Sequence, residues 1–160
     1  MLSLVLALTL TTPIPLRMPT PMDVLAKKTP TPRVAIFVTI HPVLAKCGAN
    51  EGVVQTQVEV ALRRCGFTID RQDPDAYLNI STLAVESSPT RGFAAAVYLY
   101  MDMIATVNDS IQTFRLNDER HVVTGPPGEA GRSLRDALAE QLDDLCNSYL
   151  EVREALKQKQ

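Results

Sequence analysis

The chain has 160 residues, of which 46% are hydrophobic and 21% charged, with a formal net charge of −2. That is enough for one domain with a substantial core and no dependence on disulfide staples. Arg17, Lys27, Lys28 and Arg33 against Asp23 give residues 1–33 a charge of +3, which leaves −5 for the remainder of a chain totalling −2. An acidic folded part without a basic stripe argues against a nucleic-acid partner.

Residues 1–33 read as a signal-like apolar segment followed by a Pro/Thr-rich linker, and residues 34–160 as a single α/β domain. Leu2 to Leu10, LSLVLALTL, is a compact apolar run, and the stretch after it through Arg33 holds six of the chain's eleven prolines. A run of nine residues covers about half of a ~30 Å hydrocarbon core, so no integral membrane span is expected. The run has the length of a secretion signal's hydrophobic region, and Val24-Leu25-Ala26 presents small residues at −3 and −1 of a cleavage site. The absence of basic residues before the run and the four after it point the other way. A periplasmic or secreted location is the expectation, with a cytoplasmic chain bearing a disordered N-terminal tail as the alternative.

Val34 to Ile40, VAIFVTI, is a run rich in β-branched residues and predicts a strand buried on both faces or nearly so. HPVLAKCGAN follows as a loop. Asn50 then caps a helix through Cys65, with Val54, Val58, Ala61, Leu62 and Cys65 on one face and Gly66 as its stop. Phe67 to Ile69 starts a second strand, so residues 34–70 form a βαβ unit. In DRQDPD, the carboxylates of Asp70, Asp73 and Asp75 have the wrong spacing for a calcium loop and read as a solvated turn.

The clearest pattern runs from Phe93 to Val107, where every odd position is apolar. Eight apolar matches in period two over fifteen residues predict a half-buried strand about 50 Å long. Tyr77 to Val85 is its antiparallel hairpin partner, with a turn in residues 87–92. Gln112 to Leu116 and His121 to Thr124 predict two shorter strands joined by a turn at Asn117 and Asp118.

HVVTGPPGEAGRSLRDAL, residues 121–138, has the look of a phosphate-binding loop. Counting G-x-x-x-x-G-K-[ST] from Gly125 places Ala130 at the second glycine, Gly131 at the lysine and Arg132 at the hydroxyl position, so no nucleotide is expected. The reading is a flexible loop whose Ser133 caps a helix. Leu134, Leu138, Leu142, Leu145, Tyr149, Val152 and Leu156 then form one apolar helical stripe, facing the core or a partner helix.

The elements assemble in the order β-α-β-β-β-β-β-α. The fold class is α/β (α+β): a two-layer sandwich with a mixed, largely antiparallel sheet of about five strands and two helices on one face. The other face carries Tyr98 and Tyr100, where a partner would gain most from binding. Of the three cysteines, Cys47 and Cys65 flank a helix too long for a bridge. Cys146 can reach either, and a Cys47–Cys146 disulfide stands beside free buried thiols as a reading.

No catalytic signature, metal-ligand spacing or cofactor motif is legible. The best constellation for chemistry is the loop at residues 41–52, where His41, Cys47 and the helix N-terminus at Asn50 follow the first strand. The leading expectation is a non-enzymatic exported module that binds another protein or itself. The alternative is a small thiol or hydrolase-type enzyme, or a small-molecule binding module, built on residues 41–52.

Overall fold

The structure, a computed structural model, describes residues 20–28, 31–87, 92–107 and 109–158. The apolar run at residues 2–10 and most of the turn at residues 87–92 lie outside these. The elements are α1 (Pro21–Lys28), β1 (Arg33–Thr39), α2 (Pro42–Lys46), α3 (Glu51–Arg64), β2 (Thr68–Ile69), β3 (Ala76–Ser87), β4 (Gly92–Val107), β5 (Ser110–Gly125) and α4 (Ala130–Lys157). One five-stranded sheet has the order β2-β1-β3-β4-β5. β1 runs parallel to both β2 and β3, while β3–β4 and β4–β5 are antiparallel. The mixed, largely antiparallel sheet of the α/β sandwich is therefore present.

Alternation along β4 dictates the layers. Phe93, Ala95, Val97, Leu99, Met101 and Met103 are all buried, as are Leu78 and Ile80 of β3 and Val34 and Ile36 of β1. The helices lie over this side. The α4 stripe from Leu134 to Tyr149 is buried in the same core, with Val152 packed against it. That places the stripe in core packing and not in an oligomer seam. α3 begins where Asn50 Oδ1 accepts the N–H of Val53 at 3.1 Å, and buries Val54, Val58 and Leu62.

Several expectations are corrected. β1 is not buried on both faces, because Phe37 on its second face is 51% exposed. The segment after β4 is one sixteen-residue strand, β5, and not two strands around a turn. Continuous pairing with β4 overrides the turn preference of Asn117 and Asp118. The conflict is absorbed by a bulge, in which Met101 pairs with Asn117, Asp102 pairs with Arg115, and Leu116 is left without a partner.

The Pro/Thr-rich segment is not an extended linker throughout. Residues 21–28 form α1, with Leu25 fully buried and Met22 nearly so. Thr20 and Asp23 cap it reciprocally: Asp23 Oδ2 accepts from the Thr20 N–H at 2.6 Å, and Thr20 Oγ1 accepts from the Asp23 N–H at 3.2 Å. The DRQDPD turn is not wholly solvated either. Asp75 is buried, and its carboxylate accepts the backbone N–H of Arg33 at 2.9 Å and its Nε at 3.3 Å, pinning the start of β1 to the start of β3.

Cys65 is bridged to Cys146, with Cα atoms 5.6 Å apart, and Cys47 is a free buried thiol. The expected Cys47–Cys146 pairing is therefore not formed. Cys65 ends α3 on the face that meets α4, whereas Cys47 ends α2 beneath the start of α4, about four turns from Cys146.

Candidate functional site

Because all the helices that build the core lie on one side, the other side of the sheet is open. Its composition is unusual for a solvent face. On β3, Leu83 and Val85 are 60% and 63% exposed, and Val122 on β5 is 78% exposed. Together with Ala94 and Ala96 of β4 they line a shallow apolar depression near one end of the β3–β4–β5 ladder. The small alanines on the central strand make the hollow, and the larger flanking side chains form its walls.

Further along the same face the surface becomes aromatic and charged. The guanidinium carbon of Arg115 lies 4.3 Å from the ring centroid of Tyr100, and that of Arg120 lies 5.8 Å from Tyr98. Arg115 Nε donates to Asp102 Oδ1 at 2.5 Å, and Asp118 accepts from both Arg115 and Arg120 at 3.4 Å. Exposed ion pairs of this kind contribute about 0–1 kcal/mol each to stability. What they do here is hold the two arginines over the tyrosine rings, which cuts the side-chain entropy that binding would otherwise have to remove. Phe37 and Tyr77 stack at 6.2 Å on the neighbouring strands and continue the aromatic surface toward β1.

Tyr98 and Tyr100 thus sit on the outer face, as alternation predicts. Arg115, Arg120, Phe37, Leu83, Val85 and Val122 were not legible as parts of the same surface. One signal was available in β3: in Leu83-Ala84-Val85 the inward residue is the small one and the outward residues are large, the reverse of a half-buried strand.

The loop at residues 41–52 folds differently from the expectation. His41 to Asn50 is not an irregular loop, since α2 forms within it. His41 is the N-cap of α2, its Nδ1 accepting the Val43 N–H at 3.3 Å and its own N–H donating to Thr82 Oγ1 at 2.7 Å. Cys47 closes the other end of α2, six residues on, about 9 Å of helical rise away. Its thiol is buried, and its carbonyl accepts the Ala130 N–H at the start of α4. His41, Cys47 and Asn50 are therefore each used in capping or packing, and His41 and Cys47 are not brought together as base and nucleophile.

The glycines of GPPGEAG have structural explanations as well. A Cβ on Gly131 would stand 2.7 Å from the Gly48 carbonyl oxygen, one on Gly125 would meet the Phe93 ring at 3.1 Å, and Gly128 has φ +88°. They let the β5–α4 connection pass close over α2 and the core. The helix N-cap is Glu129, without a side-chain cap bond, and Ser133 lies inside the first turn instead of capping it.

Among the described residues no group of side chains is arranged to hold a metal ion, and no helix is long and apolar enough to cross a membrane. No family model matches the chain, and no curated protein matches it. Similarity to solved structures is low. A neuraminyllactose-binding hemagglutinin homolog from Helicobacter pylori is 11% identical, covering 79% of this chain and 91% of that one, with a TM-score of 0.40. A minor lipoprotein from Acinetobacter baumannii is 9% identical over 79% and 85% of the two chains, with a TM-score of 0.31. The rare lipoprotein B of Shewanella oneidensis is 12% identical over 79% and 95%, with a TM-score of 0.27. Two of these three are lipoproteins, and at such identities and TM-scores the likeness transfers no role to this chain.

Proposed function

We propose that this protein is a non-enzymatic, exported module that docks another protein chain on the open face of its sheet. The observation that carries the reading is the juxtaposition on one uncovered face of the Leu83–Val85–Val122 depression with Tyr98 and Tyr100, each under an arginine. Contiguous exposed apolar surface beside aromatic and arginine side chains is the composition of a protein interface, where such residues supply most of the binding energy. Export is supported by the apolar run at residues 2–10 and by the Cys65–Cys146 bridge, which persists in an oxidising compartment. Processing after Ala26 would remove the core residues Met22 and Leu25, which favours a cleavage site before Thr20.

The test is site-specific photocrosslinking in the native cell from Leu83 and Val122, with Asp143 and Glu151 on the exposed side of α4 as controls. A single partner crosslinked from the sheet positions alone, whose purified form binds the wild type and loses affinity about tenfold with Y98A/Y100A, supports the reading. Equal labelling from both faces, or unchanged affinity in the double variant, overturns it. N-terminal sequencing of the cell-derived protein decides export: an intact Met1 in the cytosolic fraction removes that half of the reading.

A further inference from the structure

We infer that β5 is a homodimerisation edge, pairing antiparallel with β5 of a second copy about a two-fold axis between Leu116 and Asn117. β5 is the last strand of the sheet, and among the described residues it has no strand on its other side. A sixteen-residue edge presents a long row of backbone donors and acceptors, which a second strand can satisfy by continuing the ladder.

The bulge is what selects a second copy as the occupant. In a regular strand the side chains on one face are all of one parity. Two residues three positions apart, such as Arg115 and Asp118, then fall on opposite faces and cannot meet across a symmetric pair. Here Leu116 is skipped in the pairing with β4. The outer face therefore carries Ile111, Thr113 and Arg115 before the bulge, and Asp118, Arg120 and Val122 after it. A two-fold axis through the bulge sets Arg115 opposite Asp118 of the second copy, Thr113 opposite Arg120, and Ile111 opposite Val122, each pair occurring twice.

The edge becomes complementary to itself in charge and in hydrophobicity. It brings together Ile111 and Val122, the two most exposed large apolar residues among those described, at 77% and 78%. Symmetric registers centred on Asp118 or Arg120 would instead set like charges directly opposite each other, which destabilises a pair. The result is a continuous ten-stranded sheet with two copies of the open face side by side. Val122, Arg115 and Arg120 border both surfaces, but Leu83, Val85, Tyr98 and Tyr100 lie on β3 and β4, away from the seam. Crosslinking from Leu83 and the Y98A/Y100A variant can therefore fail while the β5 pairing holds, and the reverse.

The test combines oligomeric state with a register-specific crosslink. The wild type sediments as a dimer at about 100 µM. R115D and D118R each weaken the dimer about tenfold, and R115D/D118R, which restores opposite charges across the axis, recovers most of it. In a Cys47→Ser background, T113C/R120C yields a covalent dimer on mild oxidation. Within one chain these positions are about 23 Å apart and cannot bridge. The single variant T113C should not crosslink, since residue 113 does not face its own copy. The crosslink remains decisive if the charge variants fold poorly. A protein that is monomeric at every concentration, or a T113C crosslink as strong as that of the double variant, overturns the proposal.

Discussion

The guanidinium of Arg115 lies over the ring of Tyr100, although the residue directly opposite Tyr100 on β5 is Asp118. Arg115 is paired across the ladder with Asp102 and reaches diagonally to Tyr100, and the bulge at Leu116 is what puts Arg115 and Asp118 on the same face. One irregularity thus brings Arg115 and Asp118 together on the aromatic face. In a double-mutant cycle, Y100A and R115A should show a coupling of about 0.5–1 kcal/mol in urea unfolding. A coupling of zero would mean that the arginine does not order the ring.

Removing the disulfide should cost far more than any surface contact. The bridge spans 81 positions, for which loop-closure entropy predicts about 4 kcal/mol. In a Cys47→Ser background, C65S or C146S should lower the thermal midpoint by many degrees, and added reductant should do the same to the wild type. Insensitivity to reductant would indicate that the bridge is not formed.

Gly131→Ala separates helix propensity from packing. Propensity alone predicts a gain of about 1 kcal/mol for alanine within a helix. The Gly48 carbonyl oxygen at 2.7 Å from the new Cβ predicts a loss of about 1–3 kcal/mol instead. Chemical denaturation decides the sign.

Leu25→Ala tests the docking of α1. Leu25 is fully buried, so its truncation should cost about 2–4 kcal/mol. Val24→Ala, at a 40% exposed neighbour, should change stability by less than about 0.5 kcal/mol. Equal effects of the two would return this segment to an undocked linker.

Tyr149 links the core to alkaline stability. Its ring packs on Phe67 at 4.4 Å, and its hydroxyl is buried without a hydrogen-bond partner. Burial raises its pKa above the usual 10, with Arg153 partly opposing. The unfolded chain therefore gives up this proton first as pH rises. The contribution is fully present below about pH 10 and is lost as pH climbs through the folded-state value. Tyr149→Phe should remove this alkaline dependence and leave stability at pH 7 unchanged or raised by about 1 kcal/mol, because an unsatisfied hydroxyl is removed from the core. Denaturation series at pH 7 and pH 10.5 would measure both.

Local periodicity was enough to place β4 with its buried side, the α4 stripe, the Asn50 cap and the outward position of Tyr98 and Tyr100, because each follows from side-chain direction within one element. Contacts between distant segments settled the rest. Cys146 pairs with Cys65 because α3 lies against α4, a relation that no spacing encodes. α1 is an eight-residue helix, too short to persist alone, and it exists because Met22 and Leu25 find the core. β5 runs unbroken through Asn117 and Asp118 because β4 offers a partner along its whole length, which outweighs the local preference for a turn.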